Sequence, residues 1–337
     1  FSCYLNPIRL ARRMESSSFL YLFYFTVIFL IIMRLKETVG YERLRDETEL
    51  LSLIQKYDTQ DAVGSFRSLR IHQKLCENEK NCEIIPPFRT YYPAYSIAGP
   101  GHRVSSCMIP KNMSTVLSAI FCALFTHSLR NSSRPVTKMG REICNQRNEL
   151  HNYKQIKNIA HGQPWVNFVM VREPAERFLS GFMYMCSPGN GENSVCEGCA
   201  GDIKCALRRT LESSRRFAAG DLTASSYLLW HLGPQNWHCD FQRNLEHFKL
   251  IHYSPENKEK LNSDLSKVLE EGKVDRSDVE LIASQVSSGT SIHATRQKAE
   301  TKMFEKHMED IEVKRLLVKI FYWDYVLFNF TLPDVDF

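Results

Sequence analysis

Three short apolar runs, each ending in a polar turn, organise the hydrophobic pattern of this chain. Val104–Ile109 (VSSCMI) meets Pro110-Lys111-Asn112-Met113-Ser114-Thr115, which opens into an apolar segment of helical length ending at Phe125. Val166–Val171 (VNFVMV) delivers Arg172-Glu173-Pro174 and then Ala175–Phe182, with Pro174 where a first helical turn tolerates it. Leu250–Tyr253 is the third run. Runs this short, bounded by turns and not alternating, predict strands buried on both faces. Strands separated by helices predict an α/β fold, a P-loop-like parallel sheet flanked by helices, with ligands at the carboxyl ends of the strands. Lys258–Glu271 and Glu300–Phe321 read as covering helices, and Arg141–Ile159 is helical in tone.

Upstream, Ser16–Met33 is uncharged and apolar, near the length that spans a bilayer core of roughly 30 Å. No A-x-A-like cleavage site follows it, so a single-pass signal anchor is expected rather than a removed signal peptide. The expected layout is a cytoplasmic tail over 1–15 (with Met14 as a start), an anchor helix over 16–33, a stem over 34–85 and the main domain over 86–337. The stem carries helical patterning (TELLSLIQKY), and a helix packed on the main domain is the other reading.

Composition adds a mild positive bias: 337 residues, net charge +5, 43% apolar and 24% charged. That suits an anionic ligand or polymer and falls short of a nucleic-acid binder. Eleven cysteines are present. Cys186, Cys196, Cys199 and Cys205 have a spacing open to zinc or to disulfides, and a chain behind a signal anchor favours disulfides. Cys76 and Cys82 are expected to close a small loop, while Cys107 and Cys122, in apolar runs, read as core thiols. Asn131 and Asn329 head glycosylation sequons. Asn112 does too, but a glycan there would block the turn.

The candidate chemistry sits in the first two turns. A strand leading through a short loop into a helix N-terminus offers unpaired N–H groups and a positive dipole end to an anion. Lys111 adds a charge at the loop tip, and Ser114 and Thr115 add hydroxyls at expected cap positions. The glycines of a Walker A loop are absent. On the second segment, Arg172 and Ser180 lie about two turns apart and face one anion only if Arg172 precedes the helix. An amphipathic helix with Glu176 and Arg177 in solvent is the plainer reading.

Together the two segments resemble the sulfotransferase superfamily. There a P-K-x-x-[ST]-T turn holds the 5′-phosphosulfate of 3′-phosphoadenosine 5′-phosphosulfate (PAPS), and an R-[DE]-P-x-x-R-x-x-S-x-[FY] segment holds its 3′-phosphate. His231, Pro234 and Cys239, then Tyr322, Asp324, Tyr325, Leu327 and Phe328, are similar to an H-x-x-P-x-x-x-x-C segment and an aromatic tail. Those features belong to the membrane-bound carbohydrate sulfotransferases that act on chondroitin, dermatan and related glycans. The segment after Cys239 (FQRNLEHFKLIHYS) departs from that branch and leaves the acceptor open.

The resemblance implies PAPS as co-substrate, no metal, and sulfonate transfer to a hydroxyl of an anionic glycan, a glycosaminoglycan such as chondroitin. It also implies a Golgi membrane protein of type II with its catalytic domain in the lumen. It assigns Lys111, Asn112, Ser114 and Thr115 to the 5′ end, Arg172 and Ser180 to the 3′-phosphate, and Lys111 to the leaving oxygen. No matched motif supplies the general base. Glu142, Glu149, His151 and His161 lie between the motifs, with His151 the first choice and Glu149 the second. His231 and His293 are candidates to shape the acceptor cleft, and Arg296 to assist the nucleotide. Arg208, Arg209, Arg215 and Arg216 bind an acidic glycan or form a solvated helix face. A phosphoryl-transfer kinase and an inactive glycan-binding relative are the competing functions.

Overall fold

The computed structural model describes residues 52, 56, 62–76, 82–89, 94–99, 101–139, 144, 147–187, 195–224, 226–289, 302 and 305–337. The expected anchor over 16–33, most of the expected stem, Glu142, and the Ser291–Arg296 loop with His293 and Arg296 lie outside them. Among the described residues no helix is long and apolar enough to cross a membrane.

A five-stranded sheet in the order β3-β1-β2-β4-β5 forms the centre. Its strands are β1 (Tyr95–Ile97), β2 (Val104–Cys107), β3 (Glu149–Leu150), β4 (Val166–Val171) and β5 (Lys249–His252). The three apolar runs are β2, β4 and β5, and they are mutually parallel, with Cys107 level with Val169 and Val171 level with His252. The sheet is mixed rather than wholly parallel. β1 runs antiparallel to both β2 and β3. Only residues 98–103 separate β1 from β2, too few for a parallel crossover, so the two close as a hairpin.

Helices cover both faces. Phe168, Met170 and Ile251 join one core with α2 (Ser114–Phe125), α7 (Lys258–Glu271) and α8 (Arg276–Ser288). Val169 and Val171, pointing the other way along β4, are also fully buried. A second helical group comprises α4 (Pro174–Met185), α5 (Ile203–Ala218), α6 (Tyr227–Leu232) and α9 (Ile311–Leu327). Phe178 of α4 and Phe321 of α9 meet there with ring centroids 6.3 Å apart. The tail helix begins at Ile311 rather than Glu300, because Asp310 caps it by accepting from the Glu312 and Val313 N–H groups. The stretch that looked helical over 141–159 yields β3 and then α3 (Tyr153–Ala160), whose Asn152 cap accepts from Gln155 N–H.

The described part of the expected stem contributes α1 (Ala62–Leu75), packed on α9. The Tyr322 hydroxyl donates to Ser68 O (2.9 Å), and Arg67 donates to Pro333 O (2.8 Å).

Ten cysteines form five disulfides: Cys76–Cys82, Cys107–Cys239, Cys122–Cys144, Cys186–Cys196 and Cys199–Cys205. The C-x9-C-x2-C-x5-C cluster is therefore two small staples rather than a zinc site. Cys107 and Cys122 are not core thiols. Each run holds a buried half-cystine whose partner lies on a distant segment, which local pattern does not reveal.

Candidate active site

The turn after β2 is held open by its own side chains. Lys111 and Met113 both take left-handed backbone (φ 70° and 62°), which costs each about 1 kcal/mol without glycine. Between them Asn112 turns inward, and its Nδ2 donates to Met170 O (2.8 Å) and to Gln235 Oε1 (2.7 Å). That buried amide holds the strained turn in place. Met113, not Ser114, sits at the N-cap of α2, and no side chain caps the helix. Ser114 and Thr115 therefore keep their half-buried hydroxyls in the first turn instead of spending them as caps.

Arg172 precedes α4, whose N-cap is Glu173, as the shared-anion geometry requires. Its guanidinium approaches Glu176 (Nε to Oε2, 3.4 Å) and Lys111 O (3.3 Å). Arg172 and Ser180 line one cavity of about 250 Å³, together with Glu173, Ala175, Glu176, Leu179, Met183, Glu305, Met308 and Glu309. The structure thus brings the end of β2, the end of β4 and both turns of α4 to one place.

Arg177 is not in solvent but 1% exposed. It donates from Nε to Pro110 O (3.1 Å) and from Nη1 to Gly233 O (2.6 Å). Its Nη2 and Asn112 Oδ1 are buried with no hydrogen-bond partner among the described residues. On α4, Arg177, Gly181 and Tyr184 fall at i, i+4 and i+7 and share one face. At Gly181 a Cβ would lie 2.3 Å from Leu232 Cδ2, so any side chain there would push Leu232 aside, while Lys111 Cγ would stay at ordinary contact, 3.7 Å.

The segment from His231 to Cys239 forms a third wall. Cys239 is bonded to Cys107 at the end of β2. Gln235 is fully buried and joins the turns after β2 and β4: Oε1 accepts from Asn112 Nδ2 and from Arg172 N–H (3.0 Å), while Nε2 donates to Arg172 O (2.7 Å). Asp324 of α9 anchors this segment from behind. It accepts from Gln235 N–H (2.7 Å) and from both N–H and Nδ2 of Asn236 (2.8 and 2.6 Å). Burial pushes the Asp324 carboxyl up, against the pull of those donors and of Arg177.

Cations and carboxylates are interleaved in the site: Glu176 pairs with Arg172, Asp324 acts on Arg177, and Glu173, Glu305 and Glu309 line the cavity. Burial, then the neighbouring Arg172 and Arg177 charges, push Lys111 down to about 7. Burial pushes Arg177 down to about 10, opposed by Asp324 and reinforced by Arg172. His231 falls to about 4, first through burial and then through Lys111 and Arg177, against the Tyr227 carbonyl that favours its charge.

The candidate bases are spread along the sheet. Leu150 is level with Tyr95, which is level with Cys107, so His151 leaves the sheet at the same edge as Lys111. Two strand spacings, about 10 Å, separate β3 from β2. His151 is exposed, and its N–H donates to Gln155 Oε1 (2.7 Å). Glu149 lies half-buried on β3 itself. His161 stands just before β4 begins, at the opposite edge. The four arginines of α5 have local partners: Arg208 with Glu312, Arg209 with Glu212 (3.5 Å), Arg215 with Glu83 O (3.3 Å) and Arg216 with Asp221 (2.6 Å). They form a solvated helix face.

Gln235 and Tyr184 carry no recognisable signature of a site, since each acts through a fold contact, whereas Asp324 stands in the aromatic-tail pattern. Arg177 had one, being the second arginine of the R-E-P-x-x-R segment.

Residues 96–331, which span all of these walls, match the sulfotransferase family. The chain belongs to that family. This sulfotransferase is 29% identical over 268 residues to "Carbohydrate sulfotransferase chst-1" of Caenorhabditis elegans, covering 75% of this chain and 80% of that one. It is 25% identical over 274 residues to "Uncharacterized protein C18B2.2" of the same organism, covering 78% and 75%. No solved structure matches the sulfotransferase at a significant level.

Proposed function

We propose that this sulfotransferase takes its sulfonate from PAPS and transfers it to a hydroxyl of a carbohydrate, a glycosaminoglycan such as chondroitin. The carrying observation is the gathering of Lys111, Arg172 and Arg177 at the ends of β2 and β4, with a buried Arg177 nitrogen that has no hydrogen-bond partner among the described residues. Cations brought together beside a helix start suit a polyanion. The carbohydrate acceptor follows from the name of the relative chst-1.

Bound PAPS supplies a sulfonate joined to a phosphate leaving group. Lys111 places its ammonium where charge grows on the leaving oxygen, and the helix N–H groups, Ser114 and Thr115 hold the 5′ end, with Asn112 fixing the turn. Arg172 and Ser180 hold the 3′-phosphate. The Arg172–Glu176 pair at 3.4 Å is a part-exposed pair, worth about 0–1 kcal/mol, so a phosphate displaces Glu176 readily. His151, or Glu149 behind it, takes the proton of the acceptor hydroxyl. The segment 16–33 anchors the chain in the Golgi membrane with the catalytic body in the lumen.

The test incubates the full chain with labelled PAPS and desulfated chondroitin, dermatan and heparan. Lys111→Ala is expected to lower kcat by about 100-fold or more. Arg172→Ala is expected to raise the donor KM about tenfold or more. Binding of 3′-phosphoadenosine 5′-phosphate (PAP) without transfer to any glycan would mark an inactive glycan-binding relative. Absence of PAP binding would overturn the reading.

A further inference from the structure

Beside the Lys111 ammonium stands a group of rings that the donor chemistry does not use. Lys111 Nζ lies 3.9 Å from the centroid of the Tyr184 ring on α4. From α6 come Tyr227, Trp230 and His231. The His231 ring is 4.2 Å from Tyr227, 4.6 Å from Trp230 and 5.7 Å from Tyr184, measured between centroids. Tyr184 and Tyr227 are hydrogen-bonded to each other, which joins the two helices across the group. Tyr227 is nevertheless 49% exposed, and Trp230 is half-buried. Aromatic faces packed around a buried histidine would complete a core if they were covered, and these open outward next to a cation.

His231 has a defined orientation. Its Nδ1 lies 2.9 Å from the Tyr227 carbonyl oxygen, which can only accept, so Nδ1 carries the proton and Nε2 is left as an acceptor. The charges facing it are Lys111 from the β2 turn and Arg177 from α4, and both favour the neutral ring. A flat aromatic surface, one hydrogen-bond acceptor and a cation fit a ring with C–H faces and a rim of hydroxyls. Such rings lay their apolar face on aromatic side chains and direct hydroxyls to fixed acceptors.

We propose that Tyr227 and Trp230 form the platform for the acceptor sugar ring and that His231 Nε2 accepts a hydrogen bond from one of its hydroxyls. The platform rests on the reading of Lys111 as the point of transfer. It places the acceptor on the α6 side of Lys111, away from the Arg172–Ser180 cavity.

The experiment uses the full chain and whichever desulfated glycan takes up label, with donor and acceptor KM measured separately. Tyr227→Ala is expected to raise the acceptor KM about tenfold, equivalent to about 1.4 kcal/mol, with the PAPS KM and PAP affinity unchanged. Tyr227→Phe and Tyr227→Trp are expected to keep the wild-type acceptor KM, and His231→Ala to raise it with donor binding intact. An acceptor KM unmoved by Tyr227→Ala, or donor and acceptor KM rising together, overturns the platform. PAP binding without transfer to any glycan removes the sugar as its occupant while leaving the donor site standing. No PAP binding at all sinks the donor reading first.

Discussion

Lys111 combines three pressures in one side chain: a left-handed backbone, a buried ammonium, and two arginines close enough to repel it. The repulsion has a consequence for pH. A bound polyanion replaces repulsion by attraction and raises the Lys111 pKa above its free value of about 7. Below pH 7 the free protein already carries the charge, and binding is at full strength. Above pH 7 the proton must be acquired on binding, so affinity falls as pH rises toward the bound-state pKa. The ligand phosphates, with second pKa values of about 6, are already ionised there and do not offset the trend. PAP affinity is therefore expected to weaken by up to about tenfold per pH unit above 7.5. Calorimetry in buffers of different ionisation enthalpy should show proton uptake, and Lys111→Arg should flatten both. A flat wild-type profile would mean that Lys111 does not meet the anion. Arg177 teaches a different lesson. Its type and position are plain in the R-E-P-x-x-R segment, but its complete burial depends on Pro110 O and Gly233 O arriving from other elements.

Each element brings a group that is incomplete alone. The β2 turn has strained residues, the β4 turn has Arg172, and the 233–239 segment brings the Gln235 amide and the Cys239 half-cystine. Gln235 joins all three through its amide, and the Cys107–Cys239 bond fixes that segment to the strand end. Removing the amide leaves the Arg172 N–H and C=O unpaired in a buried place, at about 1–3 kcal/mol each. Gln235→Ala is expected to lower Tm by several degrees and also to weaken PAP binding about tenfold in the folded protein. A lower Tm with unchanged PAP affinity would reduce Gln235 to a stability residue. The apolar runs announced β2 and β4 because burial on both faces leaves a continuous hydrophobic signature, whereas β5, at the sheet edge, buries only Ile251. β3 and β1 are too short for such a signature, and the antiparallel edge they form was legible only from pairing.

At the scale of the whole molecule, α1, upstream of the boundary expected at residue 86, packs on the tail helix. α1 covers Tyr322 and Trp323 of α9, both almost fully buried, and His72 packs against their rings at 5.7 and 5.9 Å. Uncovering two large aromatic side chains costs roughly 2 kcal/mol apiece. A chain beginning at residue 83 is expected to melt about 10 °C lower than the full chain. Equal melting temperatures would show α1 to be a dispensable spacer. α9 then reaches the site through Asp324, so the tail supports the anion turns without touching a ligand.

The sequence by itself determined the three parallel strands, the polar turns with their cations and the family, because backbone geometry and charge at a helix start depend on neighbours a few residues away. Only the tertiary structure decided the disulfide partners, the inward turn of Asn112, the burial of Arg177 and the clasp of Gln235. Those outcomes depend on which distant carbonyls and carboxylates come within hydrogen-bond reach, and no local pattern carries that distance.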